Sequence, residues 1–120
     1  MAELRTAEQD RLAQALMDTG QLGKETAEKY FNDAARFGPL VVANGLAGAF
    51  AFAAEKFKSE FKRHLEVWIC GRQEFKSLQG VELLTKLADS KCDAAQYRRM
   101  TQEALIYTNW LKRLSGAKKG

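Results

Sequence analysis

The hydrophobic and polar positions of this chain recur with a helical period, most clearly between Tyr97 and Leu114. At about 100° per residue, Tyr97, Met100, Ala104, Tyr107, Leu111 and Leu114 step by threes and fours onto one stripe. Arg98, Arg99, Lys112 and Arg113 fall on an arc centred on the far side. One side of such a helix seals a core, and the other offers guanidinium and ammonium groups to something anionic. Leu105 and Ile106 lie outside the stripe, towards the basic arc, which predicts a second covered surface, closed by the chain itself or by another subunit. Trp110 falls just beside the stripe.

The same reading divides the rest of the chain into helical pieces. The first runs from about Ala2 to Asp18, with Leu4, Ala7, Leu12, Ala15 and Leu16 as its apolar set, and stops at Gly20. The second covers Lys24 to Phe37, turns Ala27, Tyr30, Phe31, Ala34 and Ala35 inward, and ends at Gly38-Pro39, since proline lacks the N–H and disfavours helix in the residue before it. A third starts at Pro39 and a fourth runs from about Gly45 to Phe57. Ser59 to Cys70 carries the stripe Phe57, Phe61, Leu65, Trp68 and Ile69, with Lys56, Lys58, Lys62, Arg63 and Arg72 at the other positions. Gly71 to Gly80 reads as a loop, Val81–Ala88 as a short helix, and Asp89-Ser90-Lys91 as a turn. Ser90 or Asp93 caps the final helix, and Ser115 to Gly120 reads as a frayed basic tail. The fold class is all-α: a single compact bundle of about five to six helices, with 1–120 as one domain.

Composition narrows the class further. A 120-residue chain with 46% hydrophobic residues and seven phenylalanines supports a core of its own. The net charge is +4, distributed unevenly: residues 1–50 carry five Lys/Arg against seven Asp/Glu, and residues 51–120 carry fourteen against eight. Such asymmetry favours an anionic partner on the C-terminal half, because clustered cations raise the local potential; the plainer alternative is a solvated, lysine-rich helical surface.

The eighteen residues from Phe37 to Ala54 carry no charge, near the lower limit for a membrane span. Gly38-Pro39, Asn44 and Gly45 interrupt them, and five of the last eight are alanine, so a buried central helix is the expectation and no membrane partner is expected. Gly45-Leu46-Ala47-Gly48 resembles a phosphate-clamping Gly-x-x-Gly loop, but such KH loops belong to mixed α/β folds, and close helix packing suits it better.

The catalytic inventory is sparse. Cys70 and Cys92 lie far apart and His64 is the single histidine, so no zinc-type spacing exists and nothing requires a disulfide. Two thiols and no signal-like leader suggest a cytoplasmic protein. His64 reads as a surface or boundary residue of a basic helix, and Glu25, Glu28, Glu55 and Glu60 as partners of neighbouring lysines. No enzyme, metal or cofactor is expected. Trp68 and Trp110 beside cations suit base stacking, although aromatics at helical spacing more often pack a core.

Two stretches resemble a known family. Pro39-Leu-Val-Val-Ala-Asn44-Gly45-Leu46, followed by Ala49, Phe50, Phe52 and Lys56, is similar to the signature of the small helical subunit of the type III-B CRISPR RNA-silencing (Cmr) effector complex. Tyr97 through Glu103-Ala104-Leu105 to Trp110-Leu111-Lys112-Arg113-Leu114 resembles its closing motif, and Arg11, Ala13 and Ala15 fit its first helix. One departure is Leu114-Ser115, where the family more often has Phe-Ala. The resemblance implies a non-catalytic subunit, several copies of which stand head to tail beside the backbone subunits and line the channel holding guide RNA and target RNA. Target cleavage then belongs to the backbone subunits and nucleotide cyclisation to the large subunit. Lys56, Lys58, Lys62, Arg63, Arg98, Arg99, Lys112 and Arg113 are the candidate RNA contacts. The alternatives are a helical adaptor that binds only proteins and the small subunit of a related type III-A complex.

Overall fold

Five α-helices account for most of the chain in the computed structural model, which describes residues 5–119: α1 (Ala7–Thr19), α2 (Lys24–Lys56), α3 (Phe61–Gly71), α4 (Leu83–Ala88) and α5 (Ala94–Lys119), with one 3-10 turn at Gln73–Phe75. No strand occurs among the described residues. The bundle is all-α, as the periodicity predicts. It is also flat, about 45 × 43 × 21 Å, roughly two helix diameters thick. The long helices α2 and α5 form its main contact, with α1 and α3 packed against α5.

α1 begins later than the expected Ala2, because Thr6 and Gln9 form a capping box: the Gln9 N–H donates to Thr6 Oγ1 at 3.1 Å and the Thr6 N–H to Gln9 Oε1 at 2.9 Å. Leu4 of the expected apolar set lies outside the described residues. Of the others only Ala15 is fully buried, while Leu16 is 52% exposed. α1 therefore leans on the bundle along a narrow strip.

The largest departure concerns α2. The expected stop at Gly38-Pro39, and the separate helix starting at Pro39, are both corrected: helix runs straight through Pro39. Phe37 and Val41 flank the proline and are buried, whereas Pro39 itself is exposed, so the ring sits on the solvent side where a helix tolerates opening. Core packing here outweighs the roughly 3 kcal/mol disfavouring an interior proline. The true break lies at Gly45, at φ 77° and ψ 168°, a region essentially restricted to glycine. The polar groups freed at the break are used. Asn44 Nδ2 donates to the Leu40 carbonyl at 3.3 Å, and the Ala47 N–H donates to the Tyr97 hydroxyl of α5 at 3.0 Å. A side chain from the facing helix thus caps the second half of α2.

Only one side of the uncharged stretch is core. Leu46, Ala49, Phe50, Ala53 and Phe57 are buried, but Val42 is 84% exposed and Ala43, Ala51 and Ala54 also face solvent. α2 is long and apolar enough to cross a membrane by length and composition, with a third of its most apolar window buried. The expected buried central helix is therefore half right.

The loop after α3 is held from beneath. Phe75 and Leu78 are buried, and the ammonium of Lys86, 3% exposed, donates to their carbonyls at 3.2 and 2.8 Å. Asp93 caps α5 through the Gln96 N–H at 2.8 Å, while the Gln96 side chain reaches the Glu74 carbonyl instead of closing a box. The expected frayed tail is corrected as well. Helix α5 continues to Lys119, Ser115 is fully buried, Lys118 donates to the Gly20 carbonyl at 3.2 Å, and the Lys119 ammonium lies 4.0 Å from the Phe31 ring centre.

Replacing Gly45 with Ala forces a side chain into that backbone region and should cost about 1–3 kcal/mol, measured as a lower urea midpoint with unchanged slope. Truncating the chain after Leu114 should lower the melting temperature, because it removes Ser115, Gly116 and the lysines from their seats; an unchanged value would mean that the last turns contribute nothing.

Candidate nucleic-acid interface

The outward face of α5 follows from its composition. Within Ala94–Lys119 the one carboxylate is Glu103, and it is buried, so every charge this helix shows to solvent is positive. Arg98, Arg99 and Arg113 are exposed and Lys112 is half-buried. None has a carboxylate partner among the described residues; Arg99 reaches the Gln96 side-chain oxygen at 3.2 Å. The opposed stripe behaves as predicted: Met100, Ala104, Tyr107 and Leu111 are fully buried, with Tyr97 and Leu114 half-buried at its ends. Leu105 and Trp110 pack against the core, so part of the second covered surface is supplied by the chain itself, and Ile106 remains 40% exposed among the arginines.

What fixes this helix is a buried polar junction that sequence pattern did not reveal. Arg11 grips Glu103 with two hydrogen bonds of 2.8 Å, and the Trp68 indole N–H donates to the same carboxylate at 2.7 Å. Burial works against the charged Glu103, but the hydrogen bonds from Arg11 and Trp68 outweigh it, and its pKa lies below the usual carboxylate value. Trp68 stacks on Tyr107 at 4.7 Å between ring centres, and the Arg72 guanidinium lies 4.7 Å from the Trp68 ring centre. Tyr107 in turn donates to Asp18 at 2.5 Å. Trp68 is thus a joint of the bundle rather than a platform for a base. Its signal in the sequence was its place on the α3 stripe; Arg11 and Glu103, 92 positions apart, stood out only in the family resemblance, which said nothing of their pairing.

The second group of candidate cations sits at the corner between α2 and α3, and its members differ in freedom. Lys62 is half-buried and donates to the Ala54 carbonyl at 2.9 Å, closing the end of α2. Arg63 pairs with Glu60 at 2.6 Å, and Lys56 with Glu55 at 3.6 Å, both on exposed positions where such pairs add little stability. Lys58 is exposed and, with Arg63, borders a cleft of about 560 Å³. Lys62 and Arg63 border another of about 480 Å³. Neither cleft includes a cation of α5.

His64 is half-buried and its Nδ1 lies 2.7 Å from the hydroxyl of the fully buried Tyr30. Burial, aided by nearby Arg63, lowers its pKa below 6.5, so it is neutral at physiological pH. Both cysteines are free thiols, and burial with Glu66 beside it pushes Cys70 up to about 11. No cluster of three His, Cys, Asp or Glu side chains able to hold a metal occurs among the described residues.

Fold and surface together define a small all-α protein that keeps one helix purely cationic on its outer side. A family model, described as CRISPR-associated protein (Cas_Cmr5), matches residues 7–118. The chain belongs to this family, the small subunit of the type III-B CRISPR complex, rather than to the type III-A alternative. No curated protein and no solved structure matches it.

Arg11→Ala should destabilise the fold by about 3 kcal/mol, since it leaves a buried carboxylate without its guanidinium, and the paired change Arg11→Met with Glu103→Gln should recover most of that loss in urea titrations. Acid should weaken the fold in two stages. The contribution of neutral His64 is complete above pH 6.5 and is lost as pH falls through its lowered folded value; that of ionised Glu103 is complete above pH 4.5 and is lost in the same direction. His64→Gln should erase the upper stage alone in a melting-temperature profile against pH.

Proposed function

We propose that this protein is a non-catalytic subunit of the Cmr complex that lines the channel for guide RNA paired to target RNA, with the outer face of α5 against the phosphates. The observation that carries this reading is the absence of any exposed carboxylate on α5 beside exposed Arg98, Arg99 and Arg113. Such a face holds phosphates without reading bases, which suits a channel where guide–target pairing supplies sequence specificity. Lys112 adds to it from the edge. At the α2–α3 corner, Lys56, Lys58 and Arg63 extend the set, whereas Lys62, engaged with Ala54, serves the fold first. The solvent face of α2, with Val42, Ala43, Ala51 and Ala54 exposed and uncharged, suits contact with the backbone subunits or further copies of the chain.

Neutralising Arg98 and Arg99 together should weaken binding of the reconstituted complex to a guide-matched target equally for all target sequences. It should also flatten the dependence of log K on log salt by about one unit for each lost contact. An identical slope with assembly intact would favour the second reading, an adaptor whose basic face meets an acidic protein. The purified chain should not cleave RNA; cleavage that persists through purification and is lost in His64→Ala would overturn the non-catalytic assignment.

A further inference from the structure

The cleft of about 560 Å³ lies where the end of α1, the first turns of α2 and the start of α3 converge, and it is within the usual range for small-ligand sites. Three cations from two helices and a connecting turn line it: Lys29, Lys58 and Arg63. Its two carboxylates are already engaged. Asp18 accepts from Tyr107 at 2.5 Å and from Gln14 at 3.0 Å, and Glu60 accepts from Arg63 Nε at 2.6 Å. Lys29 and Lys58 have no carboxylate partner among the described residues.

His64 supplies a further donor. The Tyr30 hydroxyl is fully buried with His64 Nδ1 as its partner, so the hydroxyl donates, Nδ1 accepts, and the proton of the neutral ring resides on Nε2. Met17 and Leu22 add apolar lining, Met17 being 71% exposed. The cleft thus combines apolar lining with cationic and N–H donors.

We propose that this cleft binds a nucleoside monophosphate unit: its terminal phosphate between Lys29, Lys58 and Arg63, its base against Met17 and Leu22. Arg63 is shared with Glu60, so Lys29 and Lys58 are the two cations without a carboxylate partner, and a phosphate monoester, approaching two negative charges, suits them better than the single charge of an internal diester. The unit is either a free nucleotide or the phosphorylated end of an RNA chain. Lys58 and Arg63 also belong to the proposed channel set, so the site rests partly on that reading, while Lys29 and His64 are its own.

The test is titration of the full chain with AMP, adenosine and inorganic phosphate, followed by amide chemical shifts. AMP should move the amides of residues 17–22 and 58–64 and bind about tenfold more tightly than adenosine or phosphate alone; Lys29→Gln and His64→Gln should each weaken it about tenfold. Neutralising Arg98 and Arg99 should leave AMP binding unchanged, so loss of the channel reading and loss of this site are separable. A 5′-phosphorylated RNA trimer binding more tightly than AMP assigns the site to an RNA end, and weaker binding assigns it to a free nucleotide. Shifts absent from the cleft, an affinity unaltered by Lys29→Gln, or phosphate binding as tightly as AMP would each overturn the proposal.

Discussion

The cationic outer face of α5 depends on one buried carboxylate. Glu103 lies on α5 facing inward, where it would be costly alone, and it is stable there because Arg11 of α1 and Trp68 of α3 converge on it. Three helices are thereby fixed in rotation relative to one another, and Tyr107, stacked on Trp68 and bonded to Asp18, ties the same three together a turn further on. Rotation is what the proposed RNA face depends on: turning α5 by one residue would carry its arginines towards the core and its stripe into water. The pair also removes the only negative charge of α5 from its surface, so the same interaction that orders the bundle leaves the outer face uniformly positive.

The second constraint is the break in α2. A continuous helix of 33 residues would extend about 50 Å, longer than any dimension of the molecule. Gly45 interrupts it, and the Tyr97 hydroxyl receives the Ala47 N–H released there. Tyr97 is thus the joint between the break and the first turns of α5, placing Arg98 and Arg99 immediately beyond a fixed point. The uncharged character of the segment around Gly45 serves two surfaces at once, core on one side and open apolar wall on the other.

How far these features were legible varies with their range in the chain. The α5 stripe and its opposed arginines were visible because helical periodicity is a local property. Asp93 as a cap and the loop after Gly71 were visible for the same reason. Pro39 misled because its local cost is real, but the burial of Phe37 and Val41 that overrides it involves partners remote in sequence. The tail misled similarly: Gly116 and the terminal lysines look like solvent chemistry until Phe31 and Gly20 are placed beneath them. The Arg11–Glu103 junction and the Tyr30–His64 bond join residues 92 and 34 positions apart, and no periodicity encodes such pairs. Among the eight candidate cations, pattern could not tell Arg98, which has no carboxylate partner among the described residues, from Lys62, which caps a helix.

The flatness of the molecule has an evolutionary consequence. In a slab two helices thick, each helix has an inner side that answers to folding and an outer side that does not. Substitutions on the inner sides are limited by packing, and those on the outer sides are limited by whatever the slab is set against. Across descendants of this chain, the outer positions of α2 and α5 should therefore drift in step with the surfaces of their neighbours, while Arg11, Trp68, Tyr97 and Glu103 stay fixed whoever those neighbours are.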